Sequence, residues 1–184
     1  MNAPHPESGI STYLRSSESI DVADLLHLDD LASGDEEDLF RRAPQGAGRY
    51  KGRLICRALC QGAALHYVDG VNGVKDFDVW SFYRALESGP FPYRRVGHAD
   101  FGPSKFGRWP YDAARFAGRR VDLIGRSLPA EPSADPASVL RTYLATGRTE
   151  SARRLAAKAV VLINPRDRAG EVVWSAAADC LDAR

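Results

Sequence analysis

Two apolar runs rich in β-branched and aromatic residues carry carboxylates where a strand ordinarily excludes them. One is Lys75-Asp76-Phe77-Asp78-Val79-Trp80-Ser81-Phe82-Tyr83, and the other is Arg119-Arg120-Val121-Asp122-Leu123-Ile124. Asp is a poor strand former, and a charge removed from water is costly unless it is paired or holds a cation. Side chains alternate along a strand, so Asp76 and Asp78 project from one face, about 7 Å apart. With Asp122 on a neighbouring strand, three carboxylates converge on one point. Hard oxygen donors of this kind suit Mg²⁺, or Mn²⁺ in its place. Asp76, Asp78 and Asp122 are therefore the candidate metal ligands and catalytic residues. The competing reading pairs them with the abundant Arg residues and needs no metal.

A chain of 184 residues that is 44% hydrophobic suits one domain with a real core. No run approaches the roughly 20 apolar residues of a membrane span, so no membrane partner is expected. Residues 1–10 lack the basic and apolar regions of a signal peptide. Three cysteines, an odd number, argue against a disulfide framework and for a cytoplasmic protein with reduced thiols. Cys56 and Cys60 have no Cys or His partner at zinc-like spacing. The net charge of +1 conceals an asymmetry: residues 16–40 hold nine Asp or Glu and no Lys or Arg, whereas 84–126 hold nine Lys or Arg against four acids. A basic centre suits a phosphate-bearing ligand. It equally suits docking of the acidic segment, within the molecule or across a homodimer.

Residues 1–17 are polar and Pro/Ser-rich, the composition of a flexible tail, which leaves 18–184 as a single domain. Helical spacing over 20–31 is broken at Ser33-Gly34, with another turn or two over 35–42. Residues 54–59 predict a strand, Gly62-Ala63 a turn, and the stretch to Tyr67 a short helix; a continuous helix is the alternative. Residues 76–83 form the clearest strand. Residues 89–118, rich in Gly, Pro, aromatics and Arg, predict a long ordered loop. A strand at 121–124 ends at Gly125, helices follow at 136–146 and 151–159, and 160–163 is a short strand. The last stretch, 171–181, predicts an amphipathic turn or two. The sum is an α/β (α+β) mixed sheet backed by helices, with an N-terminal acidic helical segment and C-terminal helices.

Over residues 52–125 this arrangement resembles the nucleotidyltransferase superfamily, typified by DNA polymerase beta and the minimal bacterial nucleotidyltransferases. Those proteins share a strand, a Gly-Ser turn, a short helix, a strand bearing Asp-x-Asp or Asp-x-Glu, and a later strand with a third acid. Here 54–60 resembles the first strand, Gln61-Gly62-Ala63 the turn, Asp76-Phe77-Asp78 the paired carboxylates and Asp122 the third. Ala63 stands where the family usually has Ser, keeping the amide and losing the hydroxyl. The resemblance implies transfer of a nucleoside monophosphate from a nucleoside triphosphate to an acceptor hydroxyl. That acceptor is a small molecule, an RNA end or a protein side chain. It also implies phosphate binding at Gly62 and Ala63, where turn amides and a helix N-terminus favour an anion. Lys75, Arg119, Arg120 and Arg126 are the nearby cations, and strand alternation favours Arg120, which shares a face with Asp122, over Arg119. The alternative on the same fold is a non-catalytic nucleotide-sensing or protein-interaction module.

Elsewhere the plain structural readings prevail. Trp80, Phe82 and Tyr83 are expected in the core, and His66 as a satisfied, partly buried histidine. The acidic run 21–38 is expected as a solvated helix face. Tyr93, His98, Phe101 and Trp109 either stack on a base or simply cover the sheet. Arg153, Arg154 and Lys158 are either a solvated helix face or an acceptor-binding patch.

Overall fold

The computed structural model describes residues 14–92 and 96–176. Among them the fold is α+β: four helices and a six-stranded mixed sheet. In chain order these are α1 (Val22–Arg42), β1 (Leu54–Cys60), α2 (Gln61–Asp69), β2 (Phe77–Arg84), β3 (Val96–Asp100) and β4 (Arg120–Leu128). Then come α3 (Pro136–Thr146), α4 (Glu150–Ala156), β5 (Ala159–Asn164) and β6 (Val172–Ser175). The sheet order is β3-β4-β2-β1-β5-β6, antiparallel throughout except for the parallel pair β2 and β4.

That parallel pair is the frame of the site. Its register sets Asp78 beside Asp122 and Trp80 beside Ile124, while β3 sets His98 beside Asp122. Odd-numbered residues of β2 and β4, including Phe77, Val79, Val121 and Leu123, pack under α1 and α2. The opposite face, with Cys56, Ala58, Cys60 and Phe82, packs against α3 and α4. Cys56 and Cys60 are buried free thiols, and burial pushes the Cys56 thiol up to about 12, so neither is a nucleophile at neutral pH.

Helix α1 opens on a reciprocal cap, with the Asp21 carboxylate accepting from Asp24 N–H at 3.0 Å and that of Asp24 accepting from Asp21 N–H at 2.8 Å. It runs on through Ser33 and Gly34, where a break was expected. Leu25, Leu28, Asp29 and Ala32 form its buried stripe, the i, i+3, i+4, i+7 spacing of an amphipathic helix, and that burial outweighs the roughly 1 kcal/mol a helical Gly costs. Asp21, Asp30, Glu37 and Asp38 are exposed, as a solvated acidic face requires, but Asp29 is only 1% exposed and departs from it. It accepts from Arg57 on β1 at 2.6 Å and from Arg166 at 2.8 Å. Arg57 also reaches Glu36 and Ser33. The basic centre is tied to α1 as well, through Lys105 at 2.8 Å from both Asp21 and Asp24.

Three other expectations are corrected. Strand β4 continues past Gly125 to Leu128, because that glycine admits Phe91, whose ring would collide with a Cβ there. The stretch 89–118 contains β3, which completes the sheet edge. Its aromatics Phe101, Phe106 and Trp109 are buried, so Phe101 and Trp109 cover the sheet; Tyr93 lies outside the described residues. The stretch 172–175 is strand β6 rather than a helical turn, and 177–181 lie outside the described residues. Residues 1–13 of the expected tail are likewise outside them, but Ser16 is already fixed to the body by paired backbone hydrogen bonds with Val74, at 2.9 and 2.7 Å. No helix among the described residues is long and apolar enough to cross a membrane.

Candidate functional site

Strand and helix follow each other as expected, but the turn falls at Gln61 rather than at Gly62-Ala63, which already lie in the first turn of α2. Cys60 ends β1, and Gln61 then takes φ 61°, the one positive φ among non-glycine residues described. Such a conformation is a strain that surrounding structure must impose. Here Asn72 imposes it from one side, donating from Nδ2 to Gly62 O at 2.9 Å while its own carbonyl accepts from Arg15 at 3.3 Å. From the other side Gln61 donates to Arg154 O at 3.2 Å. The 66–73 segment behind the turn is held by His66, which accepts from Gly73 N–H through Nδ1 and donates through Nε2 to Glu18 O, both at 3.0 Å. His66 is thus a satisfied core histidine, as expected.

In front of the turn is a pocket of about 360 Å³. It is lined by Gln61, Gly62 and Ala63 of the turn and helix start together with Asp76 and Asp78, and Trp80 and Ile124 add apolar surface. Four cations, Arg15, Lys75, Arg154 and Lys158, complete the lining. Of the expected residues, Gly62, Ala63, Lys75, Asp76 and Asp78 are therefore brought together. Trp80, expected in the core, is partly buried against it, stacked on Phe82 with ring centroids 6.0 Å apart, and also lines this pocket; its buried indole N–H has no partner among the described residues.

The side chain of Asp78 makes no hydrogen bond or ion pair among the described residues. Burial pushes its carboxyl up to about 7, and the charges of Asp76 and Asp122 add to the effect against Lys158 and Arg120. Asp76 and Asp122 are bridged by Arg120, whose Nε lies 2.8 Å from Asp122 and Nη2 3.3 Å from Asp76. Its Nη1 lies 3.6 Å from Asp112. Partial burial opposes the Arg120 charge, yet the three carboxylates raise its pKa above the ordinary guanidinium value. Asp122 also accepts from His98 Nδ1 at 2.8 Å, so His98 is spoken for on that side. Among the described residues no three His, Cys, Asp or Glu side chains are gathered closely enough to grip an ion as they stand.

The other two expected cations go elsewhere. Arg119 is buried and structural, donating to the carbonyls of Phe106, Lys75 and Leu14 at 2.9, 3.3 and 3.2 Å. Arg126 lies four residues beyond Asp122 on β4, about 13 Å along the strand, and donates to Ser151 at 2.5 Å. It lines a separate cavity.

Compared with known proteins, the chain matches no protein-family model, no curated protein and no solved structure.

The site residues that sequence reasoning missed are distant in the chain. Arg15 arrives through the Ser16–Val74 bridge. Lys158 arrives because β5 pairs with β1, setting Val160 beside Cys60. Only the charge run at 153–158 hinted at the latter, and of its members Arg153 turns back to cap α3, donating to Gly147 O at 2.8 Å.

Proposed function

We propose that this protein is a nucleotidyltransferase-like enzyme that binds a nucleoside triphosphate in the pocket between the β1–α2 turn and Asp76 and Asp78. One observation carries the reading. A strained turn at a helix start, two carboxylates and four cations share one pocket. Turn amides and the opening of α2 favour an anion, and Arg15, Lys75, Arg154 and Lys158 supply the positive charge a triphosphate requires. Trp80 and Ile124 offer an apolar surface for a base or sugar.

The donor set fits a hard divalent cation. Asp78, half buried and unpartnered, gains most from a cation, since a neighbouring positive charge offsets what burial and like charges cost it. Asp76, Asp78 and Asp122 would hold Mg²⁺ or Mn²⁺, which supplies charge neutralisation at the transferring phosphoryl group. In its absence Arg120 neutralises Asp76 and Asp122, and on nucleotide binding it is placed to turn toward phosphate oxygens. His98 and Arg120 orient Asp122, the carboxylate nearest the sheet edge from which an acceptor hydroxyl approaches.

The test is thermal unfolding with each nucleoside triphosphate, with and without Mg²⁺ or Mn²⁺. A ligand that binds only the folded state stabilises it by about 2.7 kcal/mol at a hundredfold excess over its Kd. A metal-dependent shift that is lost in Asp76→Asn is expected, followed by pyrophosphate release once an acceptor is supplied. Absence of any shift with every triphosphate, in a well-folded sample, would sink the reading.

A second reading has its own observation. Arg120 is already engaged by Asp76, Asp112 and Asp122, and Ala63 lacks the hydroxyl of the resembled turn. A nucleotide-sensing module without transfer accounts for both. It predicts tight nucleotide binding with no pyrophosphate released across a broad set of acceptors.

A further inference from the structure

Beside the polar pocket, on the same face of the sheet, lies a second and larger cavity of about 550 Å³. It is formed by the end of β4, the 129–135 connection and one side of α3. Helix α3 uses Ala137, Leu140 and Leu144 to pack on the sheet. The adjoining stripe, Ser138, Val139, Thr142, Tyr143 and Thr146, faces the cavity instead, at the i, i+1, i+4, i+5, i+8 spacing of one helix side. This stripe and Leu128 with Pro129 give the cavity apolar walls with hydroxyls at intervals.

Its charges are unequal. Arg126 and Arg148 are basic, and Asp135 is the one acid on the wall. Asp135 is already committed: it accepts from Ser138 N–H at 2.8 Å and from Arg168 at 2.5 Å, contacts that hold its carboxyl down at about 2. Arg126 sits over the Tyr143 ring, 5.4 Å from its centroid. Arg148 at the mouth is exposed and makes no hydrogen bond or ion pair among the described residues. A concave, mainly apolar site of a few hundred Å³ with a few convergent polar groups is what a small organic ligand occupies, and the exposed Arg148 guanidinium selects its sign.

We infer that this cavity binds a compact amphipathic organic anion: an aromatic or branched aliphatic body bearing one carboxylate, sulfonate or phosphate. The body fills the space between Leu128 and Tyr143, and the anionic group meets Arg148 and Arg126. Alternate residues of β4 connect the two sites, with Ile124 at the polar pocket and Arg126 and Leu128 here.

The experiment is fluorescence titration of the full chain with 8-anilinonaphthalene-1-sulfonate, in parallel with the neutral N-phenyl-1-naphthylamine, without nucleotide or metal. Saturable one-to-one binding of the sulfonate is expected, at least tenfold tighter than that of the neutral probe. Arg148→Ala should weaken it about three- to tenfold, and Thr142→Trp, at an exposed position on the cavity wall, at least tenfold. Arg41→Ala, a distant exposed cation, should leave it unchanged, with all variants keeping the wild-type far-ultraviolet circular dichroism and a cooperative thermal transition. Equal affinity in the wild type, Arg148→Ala and Thr142→Trp would overturn the inference, as would equal affinity for both probes or no binding at all. Because no nucleotide is present, a failure here is separate from a failure of the thermal-shift test.

Discussion

Asp78 shows how one residue couples stability to function. Its folded pKa is raised from 3.8 to about 7, so the folded chain holds a proton there that the unfolded chain releases. The stability this contributes is complete below about pH 4 and is lost as pH rises through 7. Asp78→Asn removes the charge that is costly above that window. Its stability should match wild type near pH 3–4 and exceed it at pH 8, by on the order of 1–3 kcal/mol. Parallel pH dependence in both proteins would show that Asp78 is not the titrating group. A second residue-scale case is Gly125, needed for space rather than for a turn. Gly125→Ala forces either Phe91 or β4 to move and should cost about 1–3 kcal/mol in chemical denaturation; an unchanged midpoint would mean Phe91 yields freely.

Between elements, the strongest polar tie is that of α1 to the sheet. Arg57, 3% exposed on β1, is met by Asp29 and Glu36 from α1, and Arg166 and Asn164 reach Asp29 from beyond and within β5. Removing one member leaves a buried charge without its partner, which costs about 3–5 kcal/mol. Urea denaturation of Arg57→Ala should show a loss of that order, a large share of the 5–15 kcal/mol of a typical domain. By contrast Lys105 is partly exposed, and its pairs with Asp21 and Asp24 are worth about 1 kcal/mol or less, so Lys105→Ala should be close to neutral. A loss below about 1 kcal/mol in Arg57→Ala would mean that water replaces the guanidinium, and α1 would then be held by its apolar stripe alone.

At the scale of the whole molecule, the two cavities and the carboxylates share one face of one sheet, with β4 running beneath them. A cation binds carboxylates only in their ionised form, and Asp78 changes charge near pH 7. The proposed Mg²⁺-dependent nucleotide shift should therefore be larger at pH 8 than at pH 6. Equal shifts at both values would place the nucleotide away from Asp78. Together with the stabilising effect expected of Asp78→Asn without ligand, this is the opposition between stability and function that a working site produces.

Local physics made the centre of the chain legible. Alternation at 76–83 and the Pro136 helix start depend on residues within one turn or one strand of each other, so strand, helix and the shared face of Asp76 and Asp78 could be read directly, whereas the break expected at Gly62-Ala63 falls at Gln61. Gly34 and Gly125 misled for one reason: a glycine punctuates a chain only where tertiary packing does not override it, and here a buried stripe and the Phe91 ring do. The edge strands β3 and β6 are short and take their structure from β4 and β5, which local propensity does not record. The sequence by itself thus determined the core motif and which face its carboxylates occupy. Only the tertiary structure decided that Arg15, Arg154 and Lys158 join them, that Arg120 bridges Asp76 and Asp122, and that Arg126 belongs to a second cavity. Those outcomes depend on side chains brought together by strand pairing across as many as about a hundred residues, where no periodicity in the chain carries the information.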